Sequence, residues 1–150
     1  MITGSCLCGQ IRYELNSPPQ LINNCYCSIC QKAHGAAFGS FLHADVSGFK
    51  WKSGENLITT YSSSQENSRN FCSVCGSNVP VPEIEENSVV IPAGTLDCDP
   101  GIKPVVHIFT GSKPSWYDIS DSLPKFDEFP SEQWYTEVLN SQKKEIPGEK

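Results

Sequence analysis

Seven of the eight cysteines fall into three tight clusters: Cys6-x-Cys8, Cys25-x-Cys27-x-x-Cys30 and Cys72-x-x-Cys75; Cys98 stands alone. Any fold of this chain has to bring those thiols to something that justifies them. The N-terminus, MITGSCLCGQ, has neither the basic nor the apolar region of a signal peptide, so a cytoplasmic, reducing location is the expectation. There, clustered cysteines point to metal ligation or catalysis rather than to disulfides. No apolar run approaches the ~20 residues that span a bilayer, so no membrane partner is expected.

A structural zinc takes four ligands at Zn–S distances of about 2.3 Å, usually as two pairs from different chain segments. Cys72-Ser-Val-Cys75-Gly76 has the form of a zinc knuckle, with Gly76 able to adopt the backbone conformation that leaves the turn. Cys6-x-Cys8 is its natural partner pair, closing a site across about 65 residues of chain. Cys25, Cys27 and Cys30 offer three thiols and no obvious fourth ligand. Their fourth position is either filled by the protein or kept open for chemistry.

The rest of the chain reads as one domain of 150 residues, mainly β. Ile11, Tyr13 and Leu15 alternate with polar neighbours, as do Phe49 and Trp51 after the Ser47-Gly48 turn. Residues 57–61, 88–91 and 105–110 are further strand segments rich in β-branched side chains, and Pro80 and Pro82 confine theirs to an edge or an irregular run. Helix is expected as a single turn at Gln31–His34 and again from an N-cap at Ser131 to about Lys143, with Trp134, Tyr135, Val138 and Leu139 on one face. The chain thus divides into a zinc domain over residues 1–130 and a C-terminal helix with a fraying tail over 131–150. A net charge of −6, which seven thiolates on two Zn²⁺ would take to about −9, argues against a nucleic-acid partner.

The segments GSCLCGQIRYEL, CYCSICQKAHGAAFGSFLH and RNFCSVCGSNV, followed by HIFTGSKPSWYDISDSLPKFDEFP, closely resemble the glutathione-dependent formaldehyde-activating enzyme family, which includes the centromere-protein-V-like proteins. The resemblance runs from Gly4 to about Pro130. It implies a mainly β, zinc-stabilised Mss4-like (β-tent) fold of short antiparallel strands. It also implies two zinc ions per chain: a structural one on Cys6, Cys8, Cys72 and Cys75, and a second, with an open position, on Cys25, Cys27 and Cys30. Many members have His where this chain has Tyr26. The implied activity is that of a carbon–sulfur lyase acting on adducts of glutathione with formaldehyde (S-hydroxymethylglutathione).

The chemistry of the central cluster agrees with that expectation. Zinc held by three thiolates carries a net charge of −1 and favours a soft anionic ligand, such as a small-molecule thiol, over the making of hydroxide. The thiolate is the form that attacks an aldehyde carbon. His34, four residues after Cys30, could donate the proton or become the fourth ligand. For the carboxylates of a glutathione-like thiol the cation candidates are Arg12, Lys32, Arg69 and Lys113, with Trp116 and Tyr117 as a pocket wall and Gly35 and Gly39 allowing close backbone approach. His43 and His107 lie in strand-like runs and read as structural, the family match making His107 the stronger pocket candidate. The competing reading is a non-catalytic binding module in which both zincs are structural; an incomplete ligand set speaks against it.

Overall fold

Tyr13 and Leu15 are buried while Arg12 is exposed, so the alternation read from the sequence sets the inner face of the second strand. A computed structural model describes residues 1–145. Its strands are β1 (Ile2–Ser5), β2 (Arg12–Leu15), β3 (Pro19–Cys25), β4 (Gly39–Ala44), β5 (Phe49–Ser53) and β6 (Ile58–Ser62). They continue as β7 (Ser68–Cys72), β8 (Asn78–Val79), β9 (Val81–Glu83), β10 (Ser88–Pro92) and β11 (Pro104–Ile108). Helix α1 (Ser28–His34) lies between β3 and β4, and α2 (Glu132–Glu145) closes the described chain. None of the described helices is long and apolar enough to cross a membrane.

The fold is mainly β with a C-terminal helix, as expected. The strands form three sheets, ordered β1-β2-β5, β11-β3-β4-β10-β9 and β6-β7-β8. Strand pairing is antiparallel except between β3 and β11, which run parallel. Parallel neighbours need a long crossover, and nearly eighty residues of chain separate these two strands. β9, with Pro82, lies on a sheet edge, where the missing N–H breaks no ladder. β11 ends earlier than the apolar run suggests, because Phe109 takes a positive φ of 56° and turns the chain.

Three apolar clusters hold the sheets together. Ile2, Tyr13, Leu15, Ile22, Leu42, Ala44, Val89 and Ile91 fill the space between the first sheet and the five-stranded one. The second cluster gathers Cys25, Cys30, Phe41, Val106 and Ile108, and the third Cys6, Ile11, Cys72 and Val79. Both cysteine sites therefore sit at packing centres. Helix α2 begins one residue after Ser131, whose Oγ accepts the N–H of Trp134 at 3.2 Å, a standard N-cap bond. Trp134, Tyr135, Val138 and Leu139 are half-buried on it, as expected, and Trp134 packs edge-on against Phe126. The tail over 146–150 lies outside the described residues.

Two groups make the packing testable. A Cβ on Gly4 would come within 2.1 Å of the Tyr13 ring, which is pinned by a 2.6 Å hydrogen bond between its hydroxyl and Thr95 Oγ1. Gly4→Ala is expected to destabilise by about 2–3 kcal/mol, a fall in Tm of roughly 5–10 °C on thermal melting. His43 is half-buried on β4, with Nε2 bonded to Asn23 Oδ1 at 3.0 Å, and desolvation pushes its pKa down to about 4. The unfolded chain binds the extra proton first, so His43 costs nothing above about pH 6.5. Its penalty accrues as the pH falls to 4 and reaches about 3 kcal/mol. Denaturant titrations should show wild type losing that much more than His43→Gln across this window; parallel curves would refute the assignment.

Candidate metal and thiol site

The first site is built by two turns that face each other. After β1, the Gly9 N–H donates to Cys6 O at 2.9 Å; after β7, the Gly76 N–H donates to Cys72 O at 2.8 Å. Both glycines have φ near 75°, which other residues adopt with strain. The turns bring Cys6, Cys8, Cys72 and Cys75 together with all four Sγ atoms within 4.8 Å of one another. Ser77 joins the two, its Oγ accepting the Leu7 N–H at 2.9 Å and lying 3.3 Å from Cys75 Sγ. The Ser77 hydroxyl, followed by the Ser77 and Cys8 backbone N–H groups, holds the Cys75 thiol down to about 5. Four sulfurs this close, one of them readily ionised, could hold a metal ion and fit zinc.

The second site is built by the strand-to-helix junction at α1. Cys25 ends β3, Cys27 is the N-cap of α1, and Cys30 lies in its first turn. Cys27 caps through sulfur, its Sγ accepting the Cys30 N–H at 3.3 Å. The helix therefore starts at Ser28, a turn earlier than the sequence suggests, because the cap is a cysteine. It stops at Gly35, whose φ of 57° lets its N–H reach Gln31 O. Gln31 locks the junction by donating from Nε2 to Tyr26 O and Ser112 O.

Here the Sγ atoms of Cys25, Cys27 and Cys30 lie within 4.8 Å of one another, and among the described residues no fourth metal-ligating side chain joins them. His34 is outside the sulfur group. Arg69, from β7, donates from Nη2 to Cys30 Sγ at 3.3 Å. Hydrogen bonding from Cys25, then from Cys27 and Arg69, lowers the Cys30 pKa to about 6, while the Cys25 thiol that donates to it is raised. A trithiolate zinc has a net charge of −1, which the guanidinium would neutralise. The donor set fits zinc.

Cys25 and Cys30 form part of the wall of a cavity of about 230 Å³, shared with His34, Phe41, Arg69 and Asn78. His34 packs edge-on against Phe41, and a Cβ on Gly39 would come within 2.9 Å of the imidazole, so Gly39 makes room for it. Two buried polar atoms in this cavity wall have no hydrogen-bond partner: His34 Nε2 and Arg69 Nε. Burial, then the Arg69 charge, pushes His34 below the usual histidine range.

Of the sequence-derived cation candidates Arg69 alone lines this cavity. Arg12 and Lys32 are exposed, and Lys113 directs Nζ to the carbonyls of Pro114 and Tyr117. Trp116 is exposed and, like His107 and Lys113, does not line the cavity. His107 is 2% exposed and fully engaged: Nε2 is 2.9 Å from both Asp121 carboxylate oxygens and Nδ1 is 3.1 Å from Tyr26 Oη. Because a carboxylate only accepts, Nε2 carries the proton and Nδ1 accepts from Tyr26. Tyr26 is thus the buried anchor of the 107–121 segment, packed in a triangle of tilted rings with Phe38 and Tyr117. The Asp121 partnership and the Arg69–Cys30 contact join residues 14 and 39 positions apart, with no local signal in the sequence.

The profile of the family described as glutathione-dependent formaldehyde-activating enzyme matches residues 1–112. A Halomonas elongata protein provisionally named as such an enzyme is 32% identical over 127 residues, covering 79% of this chain and 81% of its own. The crystal structure of a Rhodobacter sphaeroides protein matches the fold with a TM-score of 0.51 at 19% identity, covering 68% of this chain and 91% of that one. The chain belongs to the glutathione-dependent formaldehyde-activating enzyme family.

The two sites should respond differently to loss of one ligand. Cys75→Ser is expected to remove the clamp between the two turns and lower Tm by more than about 10 °C, since structural zinc is a folding ligand. Cys27→Ser is expected to lose metal from the second site only and to keep the far-ultraviolet circular dichroism of wild type. Elemental analysis beside thermal melts distinguishes the two.

Proposed function

We propose that this member of the family is a zinc-dependent carbon–sulfur lyase that makes and breaks thiol–aldehyde adducts of the S-hydroxymethylglutathione type. The observation that carries the reading is a three-sulfur ligand set, with no fourth protein ligand among the described residues, that opens onto a cavity. A scaffold site gains nothing from an incomplete set, so the binding-module alternative is the weaker one. Cys6, Cys8, Cys72 and Cys75 would hold the structural zinc, and Cys25, Cys27 and Cys30 the second. Zinc so bound supplies one thing, a thiol kept as its thiolate at neutral pH.

The chain's own residues do the rest. Gln31 and the α1 N-cap fix the three sulfurs, and Arg69 offsets their charge. Phe41, Val90 and Ile108 line the cavity with apolar surface, which limits water around the reacting atoms. His34, kept neutral by its burial, presents Nε2 to the same space and can take the thiol proton and return it to the oxygen of the adduct. Glutathione is the thiol and formaldehyde the aldehyde that the family name points to.

The condensation also proceeds in buffer, so the test compares rates. Exchange of ¹³C-formaldehyde between free and glutathione-bound forms, followed by nuclear magnetic resonance, should be faster with catalytic protein than without. Protein purified without chelator should carry two zincs per chain, and Cys27→Ser one, with the acceleration gone. An exchange rate equal to that of buffer would refute the reading.

A further inference from the structure

Among the described residues, two buried polar side-chain atoms lack partners, His34 Nε2 and Arg69 Nε, and both residues line the cavity beside Cys25 and Cys30. Buried polar groups are normally paired, so two unpaired ones on residues of one cavity wall point to a ligand. The arginine geometry says where that ligand sits. Nε and Nη2 lie on one edge of the planar guanidinium, and their N–H bonds point the same way. Nη2 already donates to Cys30 Sγ at 3.3 Å, so an acceptor taken by Nε–H lies next to that sulfur.

We propose that Arg69 Nε–H holds the oxygen of the aldehyde, joined by His34 Nε2 once that nitrogen has taken the thiol proton, making Arg69 a catalytic residue of the reaction. This rests on the thiol–aldehyde reading above. When a thiolate sulfur in the cavity forms its bond to the carbonyl carbon, the C=O π pair moves onto oxygen. The negative charge that develops there faces a guanidinium already in place in the cavity wall. The proton lost by the thiol returns to that oxygen, so no further reactant is needed. A carboxylate of the thiol substrate is the less fitting occupant, because the Nε site adjoins the sulfur cluster and the carboxylates of a glutathione-like thiol lie several bonds from its sulfur. The ligand class is accordingly a small carbonyl compound, with formate, planar and anionic, as a mimic of the developing oxyanion.

The decisive variant is Arg69→Lys, which keeps a positive charge near Cys30 and removes the paired N–H edge. With two zincs retained, it is expected to lose about 10²-fold in kcat for adduct formation, with KM for glutathione unchanged. Formate, titrated calorimetrically into zinc-loaded protein, is expected to bind wild type and not the variant. An unchanged kcat, or formate binding equal in both proteins, overturns the proposal while leaving the proposed function standing. Should wild type fail to accelerate exchange at all, that function falls, and formate binding alone decides the oxygen site. Should Arg69→Lys shed zinc, His34→Phe takes its place: weaker formate binding supports the site, and unaltered binding overturns it.

Discussion

Four sulfur atoms drawn from the two ends of the 70-residue span Cys6–Cys75 are the constraint on which this structure depends. Cys6 and Cys72 are fully buried and form half of the third core cluster, so the space that would elsewhere hold leucine or valine holds thiols. Strands β6–β8 form a separate three-stranded sheet, and a small sheet of this kind has little stability of its own. The turn-to-turn clamp, with Ser77 bridging both sides, ties it to the N-terminal strands. A metal that binds only the folded arrangement adds its binding free energy to folding, and this core is arranged to use it.

The clamp also reaches the second site. Cys72 and Arg69 lie three residues apart on β7, so the strand that the structural cluster fixes is the strand that carries the guanidinium to Cys30. Asn78 extends the link, donating from β8 to Ala33 O at the end of α1. Loss of the structural cluster should therefore loosen the cavity wall as well as the sheet, whereas loss of the three-sulfur cluster leaves the sheet's own anchoring intact.

Much of this was legible in the residues because the signals were local. Cysteine spacing sorted seven thiols into the two groups that the structure forms, alternation placed β2, and one helical face identified four half-buried residues of α2. Strand β3 gave no such signal. Its Leu21-Ile22-Asn23-Asn24 run is buried on both faces, so it does not alternate, and its two asparagines look like loop residues until Ser40 and His43 are seen to satisfy them. The pocket residues were legible only in part. Lys113 and Arg69 were equivalent as charges in a sequence, and carbonyls close at hand in the chain occupy one while a sulfur 39 residues away occupies the other.

That difference bears on selectivity. A trithiolate zinc site buried without a counter-charge would favour a neutral fourth ligand, because a second anion would leave −2 in a poorly solvated space. With Arg69 in contact with Cys30, zinc and three thiolates come to zero, and an incoming thiolate brings the assembly only to −1. In the proposed reaction the same guanidinium that makes the site tolerant of an anionic sulfur would face the oxygen on which that charge arrives. Negative charge would then move from the sulfur toward the oxygen along one edge of a single side chain. An ammonium at this position would offer the charge but not two parallel donors, so on the proposed reading arginine and lysine are not interchangeable at position 69.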